Sequence, residues 1–168
     1  LTSGGDAPGM NAVVRAAVKR CADVVQMAYN FFVARDLHQL TDELTATETA
    51  VMARSVLAHG LLAGHWTSSK MFFDHDHRRD RWTPEGLEYR MGQLAAIRRL
   101  VGGDVITMRA AAVRFVLSNN IITSCVLGPR SVTQLRQLVY EAGDGPPYFD
   151  DEMLVLVPEL LESVGLAI

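Results

Sequence analysis

Residues 119–143 constrain the fold most, because a short apolar run there is followed directly by a helical pattern. Residues 121–127 are rich in β-branched side chains, have the length of a strand and lie between turn residues. Such a run is typical of a strand that is buried on both faces inside a parallel sheet. The sequence therefore predicts an α/β fold with a parallel sheet.

A helix is expected directly after this strand. Gly128 and Pro129 end the strand, and Ser131 with Gln134 forms a Ser-x-x-Gln capping box. Apolar residues then recur at helical spacing and predict the inner face of the helix: Val132, Leu135, Leu138, Val139 and Ala142. Gly143 is a typical helix stop.

Arg130 would lie at the amino end of this helix, at the carboxyl edge of the sheet. Free backbone N–H groups and the positive end of the helix dipole favour a phosphate there, and a guanidinium adds a forked donor. The same spacing also fits an ordinary strand-loop-helix with a surface arginine, so both interpretations stay open at this point.

Length, charge and cysteine content limit the number of domains, the kinds of partner and the location that are expected. The 168 residues suit one globular domain, residues 1–168, and the net charge of -3 without a basic stripe argues against nucleic acid as a partner. No apolar run reaches the roughly 18 residues that span a bilayer, so no membrane is expected. Cys21 and Cys125 lie far apart in apolar settings, which favours buried thiols and a cytoplasmic location.

Four strands are expected along the chain, around Leu1 and at residues 22–28, 49–54 and 121–127. Helical spacing and capping residues predict helices that begin near residues 10, 36, 83, 107, 131 and 150. In the last of these, Pro158 should force a kink or a restart.

Asp74, His75, Asp76 and His77 alternate within the long irregular stretch 65–82. Carboxylate and imidazole are both ligands of first-row metals. Adjacent side chains of an extended segment point to opposite sides, however, and no third ligand stands at metal-site spacing. We favour a solvated loop, and no metal is expected.

The amino-terminal loop carries a first resemblance. Residues 2–11 read Thr-Ser-Gly-Gly-Asp-Ala-Pro-Gly-Met-Asn, which resembles the ATP loop of the 6-phosphofructokinases. The resemblance covers residues 1–21 at most and implies ATP with magnesium at Gly4 and Gly5. The family's Thr-Ile-Asp-Asn-Asp and Met-Gly-Arg segments do not occur in this chain.

Three blocks in residues 22–168 carry a second resemblance. They are Val24-Val25-Gln26 with Tyr29-Asn30, the run from Ala53-Arg54-Ser55-Val56-Leu57 to Gly64, and Val126-Leu127-Gly128-Pro129-Arg130-Ser131-Val132-Thr133-Gln134-Leu135. In this order they resemble the carboxyl-terminal part of an aldo/keto reductase. The resemblance implies a (β/α)8 barrel that binds NADPH and passes hydride to a small carbonyl substrate.

The same resemblance implies roles for single residues. Gln26 would hold the nicotinamide carboxamide, and Arg54 would lie beside the nicotinamide ring. Ser55 and Leu57 would line the pyrophosphate. The other positions would take the remainder of NADP or close over it: His65, Arg78, Gly128, Arg130, Gln134 and Gln137.

Two departures from the family matter. Gln137-Leu138 stands where the family usually has Glu-Asn against the adenine. The family's catalytic Asp, Tyr, Lys and His belong to strands that would precede Ala22, so no catalytic residue is assigned. An NADP-binding oxidoreductase domain without its catalytic tetrad is therefore the first hypothesis; a phosphotransferase remnant and a structural module without a ligand are the alternatives.

A complete barrel of this type has eight strands, and the sequence predicts about four. The fold is expected to be a partial barrel-like parallel sheet with flanking helices. The chain could form an open sheet covered by helices, or a half-barrel whose apolar face and bare edges pair with another copy. We favour a homo-oligomer, because residues that fill a barrel interior would otherwise face water.

Overall fold

A three-stranded parallel sheet lies at the centre of the computed structural model, which describes residues 10–20 and 22–166. The strands are β1 (Val24–Ala28), β2 (Ala50–Arg54) and β3 (Ile122–Cys125), in the order β1-β2-β3. The helices are α1 (Met10–Val18), α2 (Arg35–His38), α3 (Thr41–Ala46), α4 (Arg78–Arg81), α5 (Pro84–Ile97), α6 (Met108–Leu117), α7 (Val132–Ala142) and α8 (Asp151–Ser163).

The predicted parallel sheet is confirmed in its described strands. Val24 of β1 pairs with Ala50, and the register continues to Ala28 opposite Arg54. β2 pairs with β3 through Ala53 and Cys125, with one irregularity after Val51. The strand expected around Leu1 lies outside the described residues.

Four predicted helix starts carry the capping hydrogen bond that the sequence indicates. Thr83, Thr107, Ser131 and Asp150 each accept a bond at the side-chain oxygen from the backbone N–H three residues later. Each cap satisfies one of the amides that a first helical turn leaves free. The Ser-x-x-Gln box differs in detail, because the Gln134 amide oxygen accepts from Arg130 N–H at 2.7 Å.

The predicted burial of β3 is wrong. Its central residues Thr123 and Ser124 are exposed, because β3 lies at the edge of the described sheet and has a strand on one side only. The predicted inner face of α7 is also mostly exposed. Leu138 is buried against α6, whereas Val132 and Val139 are each 65% exposed.

The predicted interruption at Pro158 takes a milder form than a restart. α8 runs without a break from Asp151 to Ser163 with Pro158 inside it. A proline there removes one helical hydrogen bond. The side chains of Val157, Leu160 and Leu161 are buried, and this packing stabilises the helix around Pro158. None of the helices in residues 10–20 and 22–166 could cross a bilayer.

The core lies between the sheet and its helices. α6 is buried along almost its whole length, from Met108 to Val116. Residues 35–46, which hold α2 and α3 where the sequence predicts a helix beginning near residue 36, contribute Leu37, Leu40 and Leu44, each at most 1% exposed. Burial on this scale is the main source of stability for a domain of this size.

Charged side chains fasten α7 to α6. The Arg109 guanidinium donates to both carboxylate oxygens of Glu141, at 2.6 and 2.5 Å. Arg114 donates to the Glu141 carbonyl at 3.1 Å and to the Asp104 carboxylate. Glu141 is only 5% exposed, so its charge depends on Arg109 for compensation.

A second polar cluster lies beneath the loop after β1. The Tyr29 hydroxyl lies 2.9 Å from His38 Nε2 and accepts from the Asn119 side-chain amide at 3.0 Å. The Tyr29 ring stacks on Phe115 at 5.2 Å. Burial raises the pKa of Tyr29 to about 12, although the Asn119 hydrogen bond acts in the opposite direction.

Replacing Glu141 with Gln should destabilise the fold by about 1 to 3 kcal/mol, because Arg109 would lose its charged partner in a mostly buried setting. Urea denaturation measures the change. The matched control is Glu162→Gln at an exposed position on α8, where a change within about 0.5 kcal/mol is expected. Equal effects of the two substitutions would contradict the proposed importance of the pair.

Tyr29 should make stability fall in alkali. Burial raises the pKa of the Tyr29 phenol to about 12 in the folded protein, whereas its ordinary pKa, taken for the unfolded chain, is 10.0. The neutral phenol therefore contributes its full stabilisation below pH 10.0 and loses it as the pH rises toward about 12. Unfolding free energies measured across this range should fall less steeply in Tyr29→Phe, and an unchanged slope would refute the assignment.

Candidate functional site

The parallel register brings the ends of the strands to one edge of the sheet. Tyr29 N–H donates to the Arg54 carbonyl at 3.1 Å, and Val126 N–H donates to the Ala53 carbonyl at 2.7 Å. Asn30 is 3% exposed and donates from its side-chain amide to the Ser55 carbonyl at 2.8 Å. The chain after β1 is therefore tied to the chain after β2.

The loop after β2 has an unusual backbone. Ser55, Ala58 and His59 have positive φ angles of 57°, 46° and 56°, a region that non-glycine residues rarely adopt. Gly60 follows at φ 103° and Gly64 at φ 82°. Such strain tends to occur where surrounding structure holds a loop in a functional shape.

A cavity of about 530 Å³ opens beside this loop, and we call it the first cavity. It lies between the loop after β2 and the segment that joins β3 to α7. Seven of the ten residues that the sequence proposes for the cofactor line it: Ser55, Leu57, His65, Arg78, Gly128, Arg130 and Gln134.

The amino end of α7 forms one wall of the first cavity. Ser131 caps the helix, and the Gln134 side chain holds the Arg130 amide. The Arg130 side chain is exposed. A helix amino terminus with a guanidinium beside it is a setting that favours an anion.

Arg78 forms the opposite wall and is held by an ion pair. Its guanidinium donates to both carboxylate oxygens of Asp76, with Nε at 2.8 Å from one of them. It also lies 5.7 Å from the Trp66 ring and 5.3 Å from the Phe72 ring. Hydrogen bonds from Arg78 hold the pKa of Asp76 well below its usual range.

The Asp and His residues of stretch 65–82 do not converge on one point. Asp74 pairs with Arg79 at 2.5 Å, and His75 stacks on Phe73 at 5.8 Å. Within residues 10–20 and 22–166, no group of three His, Cys, Asp or Glu side chains could hold a metal ion.

Three proposed cofactor residues lie outside the first cavity. Gln26 is in β1, where its amide nitrogen contacts Met52 Sδ at 3.6 Å. Gln137 is exposed on α7. Arg54 lines a neighbouring cavity and donates to the Ser55 hydroxyl at 3.3 Å.

That neighbouring space, the second cavity, has a volume of about 740 Å³. It begins at the ends of β1 and β2 and shares Ser55 and His59 with the first cavity. Arg54, Arg81 and Arg90 contribute to its wall. Arg81 and Arg90 could not be predicted from the sequence, because neither belongs to a block that resembles the family or to the end of a strand.

Comparison with known proteins identifies the family of the chain. A family model described as "Aldo/keto reductase family" matches residues 7–143. A search of curated proteins finds no match. None of the reported matches supports a phosphofructokinase-like segment, and the family match already begins at residue 7. Gly4 and Gly5 lie outside the described residues.

Solved structures resemble most of the described fold. A glycerol dehydrogenase from Gluconobacter oxydans matches with a TM-score of 0.70 at 20% identity, over 94% of this chain and 47% of its own. The holo form of an aldo-keto reductase from Bacillus halodurans matches with a TM-score of 0.66 at 16% identity, over 88% of this chain and 46% of its own. The chain thus spans about half the length of these neighbours, which supports a partial barrel fold.

Gly64→Ala should destabilise the loop that shapes the first cavity. A Cβ at Gly64 would lie 2.6 Å from the Met108 Cβ, and its φ of 82° disfavours any side chain. We expect a loss of about 1 to 3 kcal/mol in thermal or urea unfolding. Gly92→Ala, in α5 with open space around it, should instead stabilise by about 0.5 to 1 kcal/mol. A change in the free energy of unfolding that has the same sign for both substitutions would contradict this explanation.

Proposed function

The chain belongs to the aldo/keto reductase family, and from that premise we propose that it is the NADP(H)-binding part of an oxidoreductase. One observation carries the proposal: seven residues to which the family resemblance assigns the cofactor line one cavity at the carboxyl edge of the sheet. Ligands of open α/β sheets bind at this edge.

The two ends of the cavity suit different parts of a dinucleotide. We assign the amino end of α7, with Arg130 and Gln134, to the 2′-phosphate of the adenosine half, since a forked cation and free amides suit a dianion. Ser55 and Leu57 would line the pyrophosphate. Gln137 would lie at the adenine, outside the cavity and at the solvent-exposed surface of α7.

The nicotinamide half would lie toward the second cavity. Gln26 would hold the carboxamide, and Arg54 would lie beside the ring at the end of β2. Gly128 would let the adenosine half approach the backbone closely. Arg78 and His65 would cover the cofactor, with Asp76 fixing the orientation of the Arg78 guanidinium.

Bound NADPH would supply a hydride for a carbonyl group. The residues of this chain would bind and orient the cofactor and exclude water from it. We propose that the chain by itself is catalytically incomplete, because by resemblance the family's Asp, Tyr, Lys and His precede residue 22. The Tyr29 phenol is a poor proton donor at neutral pH, since burial raises its pKa to about 12.

Organisation and location are part of the same proposal. We treat residues 1–168 as one α/β domain and place it in the cytoplasm, since Cys125 is a free, half-buried thiol. We further propose that it associates with another copy. The exposed apolar residues Val132 and Val139 on α7 and the edge strand β3 of the described sheet are the surfaces that would be covered.

Arg130→Met should weaken NADPH binding by about ten- to a hundredfold, the loss expected for a charge-assisted contact. Binding of NADH, which lacks the 2′-phosphate, should change little. Nucleotide fluorescence titration measures both affinities. Arg136→Met, an exposed position farther along α7, is the matched control and should leave both unchanged.

Two outcomes would contradict the proposal. In the first, mixing the protein with NADPH changes neither the melting temperature of the protein nor the fluorescence of the nucleotide. The other is stabilisation by Mg-ATP alone, abolished by Gly5→Val, which would favour a phosphotransferase remnant.

A further inference from the structure

We propose that the second cavity binds a small carbonyl compound that carries an anionic group, a carboxylate or a phosphate. This inference rests on the proposed function, because it assigns the substrate side of the same site. It concerns the charge of the substrate, which neither the family match nor the similar solved structures specify for this chain.

Three arginines from separate segments of the chain line the second cavity. Arg54 ends β2, Arg81 ends α4, and Arg90 lies in α5. No Asp or Glu is among the described residues that line this space. Arg54 and Arg81 also interact within the protein, so Arg90 is the cation whose field the low-dielectric walls of the cavity would concentrate on a bound anion.

Arg90 is the residue on which the inference depends most. Its guanidinium lies 5.0 Å from the Phe32 ring and 5.8 Å from the Tyr89 ring. It also donates to the Gln93 side-chain oxygen at 2.7 Å. All three contacts are with neutral groups, so they fix the guanidinium in place, and it forms no ion pair with a carboxylate of the described residues.

Aromatic rings complete the cavity. Phe32, Trp82 and Tyr89 line it, and Arg81 lies 5.8 Å from the Trp82 ring. Ring faces of this kind give a carbon skeleton an apolar surface to pack against, while guanidinium groups fix the orientation of an anion. The combination suits a short organic acid or phosphate better than a neutral alcohol or a large hydrophobic substrate.

The position suits a substrate of the proposed reaction. The second cavity meets the first at Ser55 and His59, and Arg54 at its edge is the residue proposed for the nicotinamide ring. An anionic group held by Arg90 would leave the rest of a short molecule directed toward that junction. The two ligands would then lie side by side along the carboxyl edge of the sheet.

Matched pairs of probes test the inference on the full chain without cofactor. Calorimetry would compare succinic semialdehyde with butanal, and glycolaldehyde phosphate with glycolaldehyde. We expect each anionic probe to bind at least about tenfold more tightly than its neutral partner, with an affinity that falls as salt rises. If one anionic probe binds and the other does not, the anion is identified as a carboxylate or a phosphate, and the inference stands.

Arg90→Met should reduce binding of the anionic probe by about tenfold and leave the neutral probe unchanged. Arg99→Met, an exposed arginine outside both cavities, is the control and should have no effect. Equal binding of charged and neutral probes would overturn the inference. So would a loss caused by Arg130→Met and not by Arg90→Met, because the anion would then occupy the first cavity.

NADPH titration of the same samples separates this inference from the proposed function. If NADPH binds and neither anionic probe does, the charge assignment is wrong and the cofactor assignment stands. If an anionic probe binds in an Arg90-dependent way and NADPH does not bind, the cofactor assignment is wrong and the anion site stands.

Discussion

Parallel pairing of β1, β2 and β3 is the constraint on which the rest of the molecule depends. In a parallel sheet every strand ends at the same edge, so segments far apart in sequence meet there. The register that sets Ala28 beside Arg54 brings Asn30 to Ser55, and the pairing of Ala53 with Cys125 brings Arg130 to the loop after β2. Neither cavity would exist without this register.

Local signals allowed much of this arrangement to be predicted. Thr83, Thr107, Ser131 and Asp150 mark helix starts through chemistry that acts over three residues, so it can be read without knowledge of the fold. The anion-binding setting at Arg130 is of the same kind, since a strand, a tight loop and a capped helix are consecutive in sequence. The opposite wall of the first cavity, where Arg78 lies, could not be predicted in this way, because Arg78 is far from α7 in sequence.

The burial of single side chains was harder to predict, because it depends on which other helices and strands pack against them. The apolar spacing of Val132, Leu138 and Val139 correctly indicates a helix, but it does not reveal how much of that face is covered. Thr123 in β3 is exposed for the same reason, since an edge strand has a neighbour on one side only. Arg90 had no local signal either, because α5 reaches the second cavity only through tertiary packing.

The two cavities differ in how their cations are balanced, and this difference separates their proposed ligands. In the first cavity Arg78 is paired with Asp76, and Arg109 with Glu141, so their charges are largely compensated within the protein. Arg130 then provides a localised positive charge at one end, which suits the 2′-phosphate of the proposed cofactor. In the second cavity the contacts of Arg90 with described residues are with two rings and an amide, so its charge is available to a bound anion. One strand edge can thus present two anion sites that act on different molecules.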